Sequence, residues 1–177
     1  MGRSDFYQKV SQKRNIKILR VRHFVLIASK EQVDLSPGHP PTPRSMEAFS
    51  ILLSQIKEEI VKSRRDWDKH EPKMWSRATG ITDHQLVGGI DVQRDLVEVR
   101  AGQASYGAII FGKVKVGTND GQEGFVHVRI HDPPNRGDAD VRFHSIWTDE
   151  GNRKADGQPT TWNAIQRRDT PLEWFNE

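Results

Sequence analysis

The stretch "GFVHVRIHDPPNRGDADVRFHSIW", residues 124–147, decides how the chain is read. Val126, Val128 and Ile130 alternate with His127, Arg129 and His131, and Val141 and Phe143 alternate with Arg142 and His144. Successive side chains of a strand point to opposite faces, so this period of two marks a sheet with one face in the core. Between the runs, "DPPNRGDAD" supplies the residues that turn a chain.

A hairpin follows, and matching its apolar phases fixes the register to an odd sum, such as Val128 opposite Phe143. That register sets His127 opposite His144, Arg129 opposite Arg142 and His131 opposite Asp140. The preceding run "YGAIIFGKVKV" (106–116) joins through "GTNDGQEG". Its Val114 and Val116 are expected opposite Val128 and Val126, which sets Lys113 opposite Arg129 and Lys115 opposite His127. The outer face then collects Lys113, Lys115, His127, Arg129, His131, Arg142 and His144, with Asp140 at one end.

Further upstream, "IDV" (90–92) and "LVEVRA" (96–101) read as strand, and their phase slips around Arg94-Asp95, which predicts a bulge. "TDHQLVGG" (82–89) opens on a Thr-x-x-Gln capping box and closes on two glycines, a short helical turn. "SMEAFSILLSQIKEEIVKSRRDW" (45–67) places Phe49, Leu52, Leu53, Ile56 and Ile60 at helical spacing. Ser45 is its expected cap, Glu47 suits the first turn, and Glu58 and Lys62 form an i,i+4 pair. Thr170-Pro171-x-Glu173 reads as the start of a last helical turn presenting Trp174 and Phe175. The expected fold is therefore α+β: one long helix packed on a four-stranded antiparallel sheet, with the other sheet face in water. The element order resembles helix-first cystatin-like or cone-like folds, and the resemblance is one of order alone.

Composition bounds the rest. With 34% hydrophobic and 29% charged residues, one modest core is expected. The absence of cysteine removes disulfides, thiolate chemistry and cysteine-bound zinc. No apolar run reaches a membrane span and no signal peptide is visible, so a soluble intracellular protein is expected, cytoplasmic or nuclear. Residues 1–30 hold eight Lys/Arg against one acid, net +7, whereas the remainder holds nineteen against twenty-three, net −4. The basic head suits a loosely ordered extension; a mitochondrial presequence or a nucleic-acid-binding arm are its alternatives. Four prolines in "SPGHPPTPR" (36–44) read as a linker. The division expected is an N-terminal extension over 1–44, with an isolated strand candidate at 17–28, and a single α+β domain over 45–177.

Sharper chemistry finds little support in the residues. His127 and His131 lie about 13 Å apart along a strand, too far to share an ion. His127 and His144 lack a third ligand, so no metal is expected. The loop Asp132-Asn135-Asp138-Asp140 lacks the spacing of a calcium loop. No P-loop, dinucleotide fingerprint, G-x-S-x-G or H-E-x-x-H occurs, and no cofactor is implied. There remains the basic face, where like charges directly opposite one another are destabilising and call for a reason. The expected function is a non-catalytic binding module for an anionic partner, an acidic protein segment, a phosphorylated ligand or RNA. The anion site is expected at Lys113, Lys115, His127, Arg129, Arg142 and His144. RNA is the poorest fit, because Phe111 is the only stacking ring on that face. The alternative is a small cofactor-free enzyme with an apolar pocket between helix and sheet, using His131/Asp140 or His84/Asp91.

Overall fold

The structure, a computed structural model, describes residues 33–69, 71, 73–134, 140–149 and 162–176. The strand candidate at 17–28 and the basic head of the chain lie outside them. Helix α1 runs Pro43–Trp67, 25 residues, or about 37 Å. It begins earlier than expected because Thr42, not Ser45, is its cap. The Thr42 hydroxyl accepts from the Ser45 amide at 3.2 Å, and the Ser45 hydroxyl accepts from the Thr42 amide at 2.8 Å. Pro43 takes the first helical position, where a missing N–H costs nothing. Near its C-terminal end Lys62 pairs with Glu59 at 3.7 Å rather than with Glu58.

The sheet comprises β1 (Leu96–Gln103), β2 (Ala108–Val116), β3 (Gly124–Asp132) and β4 (Arg142–Ile146), antiparallel in that order. The fold is thus α+β, a long helix with a four-stranded antiparallel sheet. Phe49, Leu52, Ile56 and Ile60 of α1 join Val99, Ile110, Val114, Val126, Val128 and Ile130 in one core. Gly112 lies directly under α1: a Cβ there would collide with the Phe49 ring.

Both registers differ from expectation. In β2–β3, Val114 faces Val126, Lys113 faces His127, Phe111 faces Arg129 and Lys115 faces Phe125. The shift is two residues, so every side chain keeps its expected face. Pairing continues to Val116 and Gly124, which closes a shorter loop and completes more of the ladder. In β3–β4, Ile130 faces Phe143 and His131 faces Arg142; beyond an irregularity, Arg129 faces Ser145 and Val128 faces Ile146. The expected pairs His127–His144, Arg129–Arg142 and His131–Asp140 do not form. Strict alternation from Phe143 would have turned Ser145 and Trp147 into the core. The bulge buries Ile146 in place of Ser145 and sends Trp147 to the opposite face, where it stacks on His127.

Two more expectations change. "IDV" is no strand: the Asp91 carboxylate accepts from the Arg94 amide at 3.1 Å and caps a short helix α2, Val92–Asp95. The expected linker, with Val33 just before it, packs against the domain. Ser36 donates to the Ala101 carbonyl at 2.8 Å, His39 and Val99 exchange main-chain bonds, and Val33 is buried. Gly102 permits this approach, since a Cβ would meet Val33 and the Asp34 carbonyl. These residues cover the β1 edge, which would otherwise present unpaired amides.

Candidate functional site

The outer sheet face is where the structure departs furthest from the sequence reading. Lys113, His127 and Arg129, expected in solvent, are buried. They share their face with Ile109, Phe111 and Phe125, also buried. Residues 171–176 lie across it as an extended strap, so the expected C-terminal helical turn is absent. Leu172 and Phe175 of the strap pack with Ile109 and Phe111, and Trp174 and Trp147 border them. The Phe111 and Phe175 rings meet edge-on at 5.0 Å.

The cations of the face hold this strap, and the residues leading into it, by carbonyl groups. Arg100 donates to the Leu172 carbonyl at 2.8 Å, Arg129 to the Phe175 carbonyl at 3.0 Å, and Lys113 to the Arg168 carbonyl at 2.9 Å. Arg129 also donates to the Asn176 side chain at 2.8 Å and lies 4.5 Å over the Trp174 ring. A helix would have used the Leu172 carbonyl internally; in the strap Arg100 takes it. Lys113 is neutralised by Glu98 of β1 at 2.7 Å. The like charges that sequence placed opposite one another are therefore spaced by aromatic rings and held to acceptors.

His127 is the least satisfied member. It is fully buried, stacks on Trp147 with centroids 5.2 Å apart, and neither ring nitrogen has a hydrogen-bond partner. Burial, with the nearby Lys113 charge adding to it, pushes its pKa down to about 3. Burial also lowers the pKa of Arg129. His144 on β4 is lowered by burial first, then by the charges of Arg129 and His131. Its Nδ1 lies 2.8 Å from the Ser145 hydroxyl. Arg142 is exposed. The six residues expected to form one anion site are thus split: Lys113, His127 and Arg129 under the strap, Arg142 and His144 on β4, and Lys115 at the far end of β2.

Lys115 borders an open cleft of about 350 Å³ between the end of β2, the 84–88 turn and α2, lined also by Leu86, Ile90, Arg94, Asp95, Val97 and Arg168. The 84–88 turn is held as expected by Thr82 and Gln85, whose side chains each bond the other's amide. Lys115 and Arg168 both reach Glu123, at 2.9 and 2.8 Å. Arg168 and Lys115 together hold the Glu123 carboxyl down to about 2. Arg94 pairs with Asp95 at 2.7 Å. Burial pushes the Asp95 carboxyl up, but hydrogen bonds from Arg94 and the Asp91 amide outweigh it and hold it below the usual range. Three cations and two carboxylates at this mouth leave a positive balance. Arg94, Arg168 and Glu123 escaped the sequence reading because they come from α2, the segment after β4 and a loop. The strap had a signal: Ile109, Phe111 and Phe125 on the supposedly wet face needed cover, and Leu172, Trp174 and Phe175 are apolar residues that needed a place.

One member of each pair named for catalysis has a partner outside the pair. His131 Nε2 lies 2.6 Å from the Tyr106 carbonyl, and Asp91 caps α2. Among the described residues, no three metal-ligating side chains converge and no helix is long and apolar enough to cross a membrane. Compared with known proteins, the chain matches no family model, and no curated protein or solved structure is significantly similar to it.

Proposed function

We propose that the protein is a non-catalytic binding module for an acidic protein segment, engaged at the cleft bordered by Arg94, Lys115 and Arg168. The observation that carries this reading is the open cleft itself, whose mouth holds three cations. Lys115 and Arg168 share the exposed Glu123 carboxylate and can exchange it for a ligand's at little desolvation cost, while Arg94, itself exposed, stays on the buried Asp95 and adds its charge to the mouth. Leu86, Ile90 and Val97 add apolar wall for an aliphatic side chain of the same segment. An acidic peptide fits better than RNA because the lining carries no aromatic ring for a base to stack on. The space between α1 and the sheet, where a pocket enzyme would need its cavity, is occupied by the Phe49, Ile56 and Ile60 side chains.

The test is titration of a fluorescent Glu-rich peptide at low and moderate salt. Wild type binds, and the affinity falls as salt rises, since exposed charges are screened within about 10 Å at 0.1 M. Lys115→Glu with Arg168→Glu abolishes binding, whereas Arg142→Glu leaves it unchanged. Equal binding by the double variant, or none by wild type at low salt, refutes the proposal.

A further inference from the structure

The covered sheet face is organised like a receptor for an extended chain. Arg100 and Arg129 donate to main-chain carbonyls of the segment that crosses it, and Lys113 to the Arg168 carbonyl just before that segment. Such bonds read a backbone and are indifferent to side-chain identity. Selectivity comes from apolar seats, filled by Leu172 and, three residues on, Phe175, with Trp174 laid against Arg129 between them. Among the described residues, no main-chain hydrogen bond ties 171–176 to the sheet. The strap is therefore held by separable contacts and not by a continuous ladder. The same face carries an unmet polar cost: His127, stacked on Trp147, is fully buried with both ring nitrogens unpartnered.

We propose that the outer face of β1–β3 is a docking groove for an extended segment of a partner protein with the pattern Leu-x-Trp-Phe, and that residues 171–176 occupy it in cis as an internal competitor. The partner segment places its leucine and phenylalanine where Leu172 and Phe175 sit. Its carbonyls take the bonds of Arg100 and Arg129. This groove and the acidic-peptide cleft use different side chains, so each stands or falls alone.

The probe is a labelled peptide of residues 169–176, "DTPLEWFN", added to the full chain. Phe175→Ala weakens the competing strap, so this variant binds the peptide at least about tenfold more tightly than wild type, whose groove is mostly occupied. Adding Arg129→Met to Phe175→Ala reverses the gain. A permuted peptide of the same composition does not bind, and Lys115→Glu alone changes nothing. In wild type itself, excess peptide accelerates amide exchange at residues 172–176 as they are displaced. That measurement decides the matter where the Phe175 variant fails to fold. A folded Phe175→Ala protein that ignores the peptide, permuted and native peptides that bind equally, or wild-type amides unmoved at millimolar peptide overturns the proposal.

Discussion

Lowering the pH from 7.5 to 5 destabilises the fold through His127. The ring is neutral in the folded protein, with a pKa depressed from 6.5 to about 3 by burial and then by Lys113. Between these two values the unfolded chain binds a proton that the folded chain refuses, so stability falls as pH falls. The loss begins near pH 6.5 and levels off near pH 3. At about 1.4 kcal/mol per pH unit, His127 alone removes about 2 kcal/mol by pH 5. Carboxylates do not confuse this window: Glu123, held near 2 against an ordinary 4.5, loses its contribution only at lower pH. His144 shifts the same way as His127 and adds to the trend. Urea unfolding at the two pH values, with an unchanged m-value, gives the slope. His127→Phe keeps a ring against Trp147 and removes the titration, so its slope falls to what His144 contributes. Equal slopes in the two proteins, or an NMR titration of folded His127 centred near 6.5, would refute the reasoning.

Three further outcomes follow from packing and charge. Phe175→Ala empties a buried aromatic seat beside Phe111 and costs about 3–5 kcal/mol in urea unfolding. Gly112→Ala drives a methyl into the Phe49 ring and costs about 1–3 kcal/mol, because the α1–sheet interface has no slack. Glu123→Gln frees Lys115 and Arg168 from their shared carboxylate, so the acidic peptide binds more tightly than to wild type at low salt, and the gain shrinks as salt rises.

The helix, the strands and the division of residues between the two sheet faces were legible in the sequence because they follow from side-chain period alone. Phe49, Leu52, Ile56 and Ile60 could lie together only on a helix, and Val126, Val128 and Ile130 only on one face of a strand. The registers were less so, since a two-residue shift between β2 and β3 leaves every face unchanged. The bulge in β4 was hidden because its cause is a comparison of Ser145 with Ile146 for one core position. The site was misread for a different reason. Lysine, arginine and histidine at alternate positions look like a wet face, yet buried cations are tolerated where acceptors are supplied. The acceptors are the Arg168, Leu172 and Phe175 carbonyls, from residues that no local pattern connects to β2 and β3. The cleft at Lys115 unites residues far apart in the chain and has no sequence signature of its own.

That the cationic sheet face is an interior covered by the strap is tested most directly by lysine acetylation followed by mass spectrometry. Lys113 and Lys115 are two residues apart on β2; the Lys113 side chain is 3% exposed and that of Lys115 is 42% exposed. In the native protein Lys113 reacts only when the strap opens, so it labels at least about tenfold more slowly than Lys115. Comparable rates at the two lysines would mean that the face is open to solvent, and would contradict its burial beneath the strap.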